Sequence, residues 1–125
     1  MNKKILIIDD DKHVRYSFEL TLGNKGYTVK AVESGEDGIE ELTNNNDYDL
    51  IFLDLKMPGM DGIETLKHIR SINNKIPVYI VTAFQEEYLP NLKDTALEEL
   101  KFGLLTKPLD RNQILMSTGM AIDNP

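Results

Sequence analysis

The chain has 125 residues, a net charge of −7 and no cysteine. This length fits one domain, residues 1–125, which would bury roughly two-thirds of its unfolded surface and fold without disulfides or structural metal ions. The lack of cysteine excludes disulfides and thiolate metal sites, and the negative charge argues against nucleic acid as a direct partner. No segment approaches the ~18 apolar residues of a membrane span, and the first residues lack the pattern of a signal peptide. We therefore expect a cytoplasmic protein that binds neither nucleic acid nor membranes.

Strands and helices alternate in the first half of the chain. An apolar strand is predicted over Lys4–Ile8, followed by a helix over 12–25 with apolar residues at every fourth position and Gly26 as its C-terminal cap. Residues 27–32 predict a short strand whose partial alternation is typical of a sheet edge. A second helix starts after Ser34, with acidic residues in its first turn, where the helix dipole favours them.

The middle of the chain places an aspartate at the end of a strand. The apolar run 50–53 is typical of a strand buried on both faces of a parallel sheet, and it ends on Asp54. A Pro-Gly turn follows, and Asp61 is placed to cap a helix over Gly62–Ile72. The apolar residues of this helix, which are predicted to be buried, are Ile63, Leu66, Ile69 and Ile72. Chemistry in open α/β sheets collects at the carboxyl ends of strands. Asp54 is therefore a candidate nucleophile or metal ligand, with a helix cap or turn as an equally weighted alternative.

The second half of the chain is less regular. Two more strands are predicted, over 78–81 and 102–106, and a last helix over 110–122. Between the strands, residues 85–101 include Pro90, which argues against one unbroken helix, and residues 95–100 are the part most typical of a helix. The whole order is a strand followed by a helix, five times. Such alternation predicts an α/β fold, a doubly wound five-stranded parallel sheet of the flavodoxin-like type with strand order 2-1-3-4-5.

Polar residues follow four of the predicted strands. Asp9 and Asp10 follow the first strand, Asp54 ends the third, Thr82 follows the fourth and Lys107 follows the fifth. In a parallel sheet these carboxyl ends lie along one edge. Each residue alone has an ordinary structural explanation, as a solvated turn or a satisfied hydroxyl. Their convergence from four strands favours a functional site.

The residue types at this edge indicate phosphoryl chemistry. Carboxylates ~5 Å apart at an effective dielectric of about 20 repel by on the order of 3 kcal/mol, and a bound divalent cation would relieve that repulsion. Oxygen ligands without histidine or cysteine favour Mg²⁺, with Mn²⁺ as a substitute. Lys107 and the Thr82 hydroxyl would contact phosphate oxygens, and an aspartate beside the metal can attack a phosphoryl group. These residues predict an aspartyl-phosphate site with Asp54 as the acceptor.

The sequence resembles the receiver domain of bacterial two-component response regulators over nearly its whole length. Four motifs carry the resemblance: Ile7-Ile8-Asp9-Asp10-Asp11, Asp54-Leu55-Lys56-Met57-Pro58-Gly59-Met60-Asp61-Gly62, Val81-Thr82-Ala83 and Leu105-Thr106-Lys107-Pro108. It implies that Asp54 takes a phosphoryl group from the phosphohistidine of a sensor kinase or a histidine phosphotransfer protein. It also implies that Mg²⁺ is held by Asp9, Asp10, Asp54 and the backbone carbonyl of Lys56, that Thr82 and Lys107 contact the phosphoryl oxygens, and that the Lys107–Pro108 peptide is cis.

The resemblance further implies how the signal leaves the domain. Phosphorylation adds roughly −1.5 to −2 charges, and in this family it biases the fourth helix, fifth strand and fifth helix, which bind a downstream protein or a fused output domain or form a weak dimer. The chain departs from the family in this region. Leu104 occupies the position of the aromatic switch residue, and Leu100-Lys101 replaces the usual Gly-Ala before the fifth strand. We therefore expect intact phosphoryl chemistry, in a stand-alone relay or in the receiver of a longer regulator, with an altered output movement.

Two other functions compete with a phosphoacceptor switch. A phosphatase with a catalytic aspartate would place a second aspartate two residues after the nucleophile, and that position is Lys56. A degenerate receiver would bind partners constitutively without being phosphorylated, but the complete set of polar residues argues against this. We therefore expect a protein that is not an enzyme in its own right and that acts by binding partners.

Overall fold

A five-stranded parallel sheet forms the centre of the protein, with strand order β2-β1-β3-β4-β5. The computed structural model describes residues 2–83 and 99–122. The order agrees with the predicted doubly wound flavodoxin-like sheet, and β2 lies at an edge as its alternation predicted. The strands are β1 (Lys4–Ile8), β2 (Thr28–Val32), β3 (Leu50–Asp54), β4 (Val78–Thr82) and β5 (Gly103–Thr106).

Four helices are found among the described residues. They are α1 (Lys12–Gly23), α2 (Gly35–Asn44), α3 (Gly62–Ile72) and α4 (Arg111–Ile122). The last of them, α4, is the helix predicted over 110–122. Pro90 and most of the helical part predicted over 95–100 lie outside the described residues, and Glu99 and Leu100 form a turn.

Short polar side chains set the helix starts. Asp11, Ser34 and Asp61 each accept a hydrogen bond from a backbone N–H two or three residues ahead, at 2.8, 3.0 and 2.9 Å, which satisfies a donor that the first turn leaves unpaired. Asp110 and Gln113 form a reciprocal pair, in which each side chain accepts from the other's backbone N–H. These caps explain why the predicted helix starts are accurate to within one residue.

Of two predictions at helix ends, one is confirmed and one is wrong. Gly26 ends α1 as predicted: it takes the left-handed conformation (φ 90°), its N–H donates to the Gly23 carbonyl at 3.0 Å, and the Tyr27 N–H donates to the Leu22 carbonyl at 3.2 Å. Ile72, predicted to be buried, is 37% exposed. It is the last residue of α3, so its side chain lies at the end of the helix, beyond the part that packs on the sheet.

The core consists of two layers, one on each face of the sheet. Alternate strand residues point to opposite faces, so Leu6 and Ile8 of β1 pack with α2 and α3, whereas Ile5 and Ile7 pack with α1 and α4. All five residues of β3 are buried, as expected for a central strand covered on both faces. On the second face, the Phe52 ring stacks on Tyr79 with centroids 5.6 Å apart and contacts Phe18, tilted by 44°, at 4.8 Å.

Helix α2 lies so close to β1 that Gly38 has no space for a side chain. A Cβ atom at Gly38 would lie 2.4 Å from Cδ1 of Ile8, a fully buried residue. We expect Gly38→Ala to lower the free energy of unfolding by about 1–3 kcal/mol, because overpacking a dense core outweighs the better helix propensity of alanine. Urea denaturation measures this change.

Gly23→Ala is the matched control for this helix substitution. A Cβ at Gly23 would have nothing within 4 Å, so alanine should be neutral or stabilise by up to about 1 kcal/mol. Equal effects of the two substitutions would show that the close approach of α2 to β1 does not limit the side chain at Gly38.

Candidate functional site

The sheet places the predicted polar residues at one edge. Asp9 directly follows β1, Asp54 ends β3, Thr82 ends β4 and Lys107 directly follows β5. The hydrogen-bond ladder continues into this edge, since the Lys107 N–H donates to the Thr82 carbonyl at 2.8 Å. The residues predicted from four separate strands therefore lie along one edge of the sheet.

Three carboxylates form a compact group at this edge. One oxygen from each of Asp9, Asp10 and Asp54 lies within 4.8 Å of the others. Asp9 and Asp54 are buried, at 3% and 6% exposure, whereas Asp10 is exposed. Carboxylate oxygens at this spacing suit a hard divalent cation such as Mg²⁺, and the exposure of Asp10 leaves the group open to solvent on one side.

Lys107 neutralises part of this negative charge. Its Nζ lies 3.0 Å from Oδ2 of Asp9 and 3.3 Å from Oδ1 of Asp54. Burial would by itself lower the pKa of Lys107, but the two carboxylates together raise it, so the amine stays protonated. The predicted lysine is therefore in direct contact with two of the predicted aspartates.

Burial strongly affects the acidity of the two inner carboxyl groups. Burial, followed by the charge of Asp9, raises the pKa of Asp54 to about 7, although Lys107 acts in the opposite direction. Burial likewise raises the pKa of Asp9, against the backbone hydrogen bond from Asp11 and the charge of Lys107. One lysine does not compensate the buried charge of this group, which explains why a further cation would be favourable here.

The loop after Asp54 is closed tightly onto the end of β3. The Gly62 N–H donates to the Leu55 carbonyl at 2.8 Å, and a Cβ at Gly62 would lie 2.6 Å from the Asp54 carbonyl oxygen. Gly59 has φ 75°, a conformation that favours glycine and agrees with the predicted turn. Lys56 lies in this loop with an exposed side chain, and the role of its carbonyl as a metal ligand stays a prediction.

Sequence reasoning missed Arg15 as a residue of this site. It lies in the second turn of α1, and its Nη1 donates to the backbone carbonyl of Asp9 at 2.7 Å. The only sequence signal is its position beside Val14, on a helix that starts directly after the acidic run. That signal cannot separate a cation that reaches back to the loop from one that faces solvent.

A family model described as the response regulator receiver domain matches residues 5–118. The chain belongs to the response regulator receiver family. It is 37% identical over 117 residues to sporulation initiation phosphotransferase F of Bacillus subtilis, covering 91% of this chain and 89% of that protein. It is 36% identical over 121 residues to the transcriptional regulatory protein ZraR of Klebsiella oxytoca, covering 94% of this chain and 26% of ZraR. The receiver chain thus spans about a quarter of the ZraR proteins that it matches.

Solved structures agree with the receiver fold. A response regulator receiver domain protein from Clostridium thermocellum has a TM-score of 0.85 at 30% identity, covering 97% of this chain and 94% of that chain. The chemotaxis protein CheY4 of Vibrio cholerae has a TM-score of 0.85 at 25% identity, covering 98% and 100%. Within residues 2–83 and 99–122, no helix of the receiver domain is long and apolar enough to cross a bilayer.

The departures from the family pattern have visible structural counterparts. Leu104, at the position of the aromatic switch residue, is 38% exposed on β5. Lys101 takes the left-handed conformation with φ 56°, which costs a non-glycine residue on the order of 1 kcal/mol. The Lys107–Pro108 peptide is cis, as the resemblance implied.

One arginine holds the backbone at the start of β5. The guanidinium of Arg70, in the last turn of α3, donates to the carbonyls of Leu100 and Lys101 at 2.5 and 2.6 Å. It also donates to the carbonyls of Asn73 and Ile76 at 3.2 and 2.7 Å. The bonds to Leu100 and Lys101 connect α3 to the residues that lead into β5, and the other two hold the segment between α3 and β4.

Proposed function

We propose that this receiver domain is a phosphoacceptor switch in which Asp54 receives a phosphoryl group from the phosphohistidine of a sensor kinase or of a histidine phosphotransfer protein. The observation that carries the proposal is the buried Asp54 carboxylate, 3.3 Å from the Lys107 amine and within 4.8 Å of two further carboxylates. The Asp54 carboxylate can act as the nucleophile, while the Lys107 amine and a cation bound by the other carboxylates would stabilise the negative charge of the transferred group.

The transfer needs the ionised form of Asp54. A carboxylate oxygen of Asp54 attacks the phosphorus atom, the P–N bond to the imidazole breaks, and an acyl phosphate forms while the histidine departs. In the metal-free protein a pKa of about 7 leaves part of the Asp54 population protonated at neutral pH. Mg²⁺, or Mn²⁺ as a substitute, held by Asp9, Asp10, Asp54 and the Lys56 carbonyl, would supply positive charge that favours the ionised carboxylate and the anionic phosphoryl group.

Lys107 and Thr82 act on the phosphoryl oxygens. Lys107 exchanges its contact with the Asp54 carboxylate for a contact with a phosphoryl oxygen, which keeps the positive charge next to the added negative charge. Thr82 is buried at the end of β4, one strand from Asp54, and its hydroxyl donates to another phosphoryl oxygen. These two contacts tie the state of Asp54 to the ends of β4 and β5.

The output is a change in partner binding at the face that contains β5 and α4. The bound partner is a downstream protein or an output domain of a longer chain, and the domain itself is a monomer or a weak dimer through this face. Support for both arrangements comes from the relatives, because the match covers most of a sporulation phosphotransferase but a quarter of a transcriptional regulator. We place this switch in the cytoplasm, as predicted from the sequence.

The protein is not itself a phosphatase in this proposal. Lys56 occupies the position where a phosphatase of the aspartyl-phosphate type needs a general acid, and a lysine side chain does not protonate a leaving group as a carboxylic acid does. A degenerate receiver would lack one of the groups at the sheet edge, whereas the carboxylates and the lysine are in contact here.

Phosphorylation by acetyl phosphate tests the proposal. With acetyl phosphate and Mg²⁺, intact-mass measurement should show one added phosphoryl group on the wild type and none on Asp54→Ala. The exposed carboxylate Asp47, at the opposite end of the sheet, provides the control Asp47→Ala, which should be phosphorylated like the wild type. Retention of the added mass in Asp54→Ala would overturn the assignment of the acceptor, and no added mass on the wild type would favour the degenerate receiver.

A further inference from the structure

Arg15 joins helix α1 to the loop that carries two of the carboxylates. Its side chain is half-buried, and its Nη1 lies 2.7 Å from the backbone carbonyl oxygen of Asp9. The bond spans six residues, from the second turn of the helix back to the residue that follows β1. A hydrogen bond from a charged donor is stronger than one between neutral groups, so this contact is able to fix the peptide that connects Asp9 to Asp10.

The other contacts of Asp9 restrain the rest of the residue. Its N–H donates to the Val32 carbonyl at 3.1 Å, and its Oδ1 accepts from the Asp11 N–H at 2.9 Å. Its Oδ2 faces Lys107. Among these restraints, the bond from Arg15 is the one that a side chain provides to the Asp9 backbone. Removing Arg15 would therefore free the Asp9 carbonyl while leaving the strand and the helix cap in place.

We propose that Arg15 is a positioning residue for the divalent-cation site, holding the Asp9–Asp10 peptide so that both carboxylates are presented toward Asp54. This inference rests on the proposed function, because it assumes that the carboxylate group binds a cation. Groups that orient a metal ligand without touching the metal commonly contribute 10- to 100-fold to metal affinity. Arg15 acts in this way on the backbone of a ligand.

The sign of the effect separates positioning from simple charge. A positive guanidinium close to a cation site repels the incoming ion, so through-space electrostatics alone predicts tighter metal binding when Arg15 is removed. Positioning predicts weaker binding. The two explanations therefore give opposite results for the same substitution.

Direct titration with Mn²⁺ tests the inference. Electron paramagnetic resonance measures free Mn²⁺, and we expect the dissociation constant of Arg15→Met to be about tenfold or more above that of the wild type. Arg15→Lys keeps the charge and one donor and should recover part of the loss. Lys12→Met removes an exposed cation from the same helix and should not weaken binding. Far-UV circular dichroism and a thermal melt with chelator establish that each variant is folded.

The outcomes distinguish this inference from the proposed function. If the wild type does not bind Mn²⁺, the proposed cation site is wrong and the role of Arg15 falls with it. If the wild type binds Mn²⁺ and Arg15→Met binds it equally well or more tightly, the site stands and the positioning role is overturned. Arg15→Gln, a shorter polar side chain with the same expected loss, replaces Arg15→Met if the methionine variant does not fold.

Discussion

Replacing Lys107 by methionine should lower the free energy of unfolding of the metal-free protein by about 3–5 kcal/mol at neutral pH, the usual cost of removing one partner of a buried ion pair. Lys107 contacts both Asp9 and Asp54, and both carboxylates are almost fully buried. Methionine keeps the length and the apolar stem of the side chain, so the loss reflects the charge. The two carboxylates would then repel each other without a compensating amine.

Chemical denaturation at two pH values tests this expectation. At pH 5 the loss should be smaller than at pH 7.5, because the carboxylates can take up protons and relieve their repulsion. Lys4→Met is the matched control, since the Lys4–Asp47 pair is exposed on its acidic side and should contribute little. A loss at Lys107 no larger than that at Lys4 would contradict the assignment of Lys107 as the counter-charge of the buried carboxylates.

The stability of the metal-free protein should decrease between about pH 4 and pH 7 because of Asp54. The unfolded carboxyl group loses its proton near pH 4, whereas the folded one loses it near pH 7. Between these values the folded state holds more protons than the unfolded state, so stability falls as pH rises. A difference of about three pKa units corresponds to about 4 kcal/mol. This destabilisation of the folded state is absent below about pH 4 and is fully present above about pH 7.

Asp54→Asn should remove the Asp54 part of this pH dependence and leave only the smaller decrease due to the raised pKa of Asp9. At pH 8 in the presence of chelator, the variant should be more stable than the wild type by up to about 4 kcal/mol, and the two should converge near pH 4. Asp47→Asn, which changes an exposed carboxylate, should keep the wild-type decrease between pH 5 and pH 8. Added Mg²⁺ should stabilise the wild type more than Asp54→Asn, since a ligand of the folded state stabilises it by mass action. A wild-type stability that does not change over this pH range would show that burial does not raise the pKa of Asp54.

The fold could be predicted from the sequence because its local signals agree with each other. The runs at 5–8 and 50–53 are apolar without alternation and too short for a helix, which is typical of strands covered on both faces. Asp61 and Ser34 mark helix starts by simple local hydrogen bonds. The site followed from the fold, since parallel strands bring their carboxyl ends to one edge.

Features that depend on long-range contacts could not be predicted in this way. The bonds of Arg15 to Asp9 and of Arg70 to Leu100 depend on how helices lie against loops, and periodicity does not report that. The raised pKa of Asp54 depends on burial and on its distance from Asp9, which appear only in three dimensions. The exposure of Ile72 depends on where α3 stops covering the core, although its spacing matches that of buried neighbours.

The hydrogen bonds of Arg70 bear on how far the sequence between β4 and β5 can change in related proteins. Leu100 and Lys101 are held to α3 by an arginine, while the β4 end of the same connection is held in the sheet by the ladder between Thr82 and Lys107. Both attachment points are set by contacts outside the intervening residues. We therefore expect insertions, deletions or grafted sequences between them to leave the register of β5 and the position of Lys107 unchanged. The length of this connection could then vary without disturbing the contacts of Lys107 with Asp9 and Asp54.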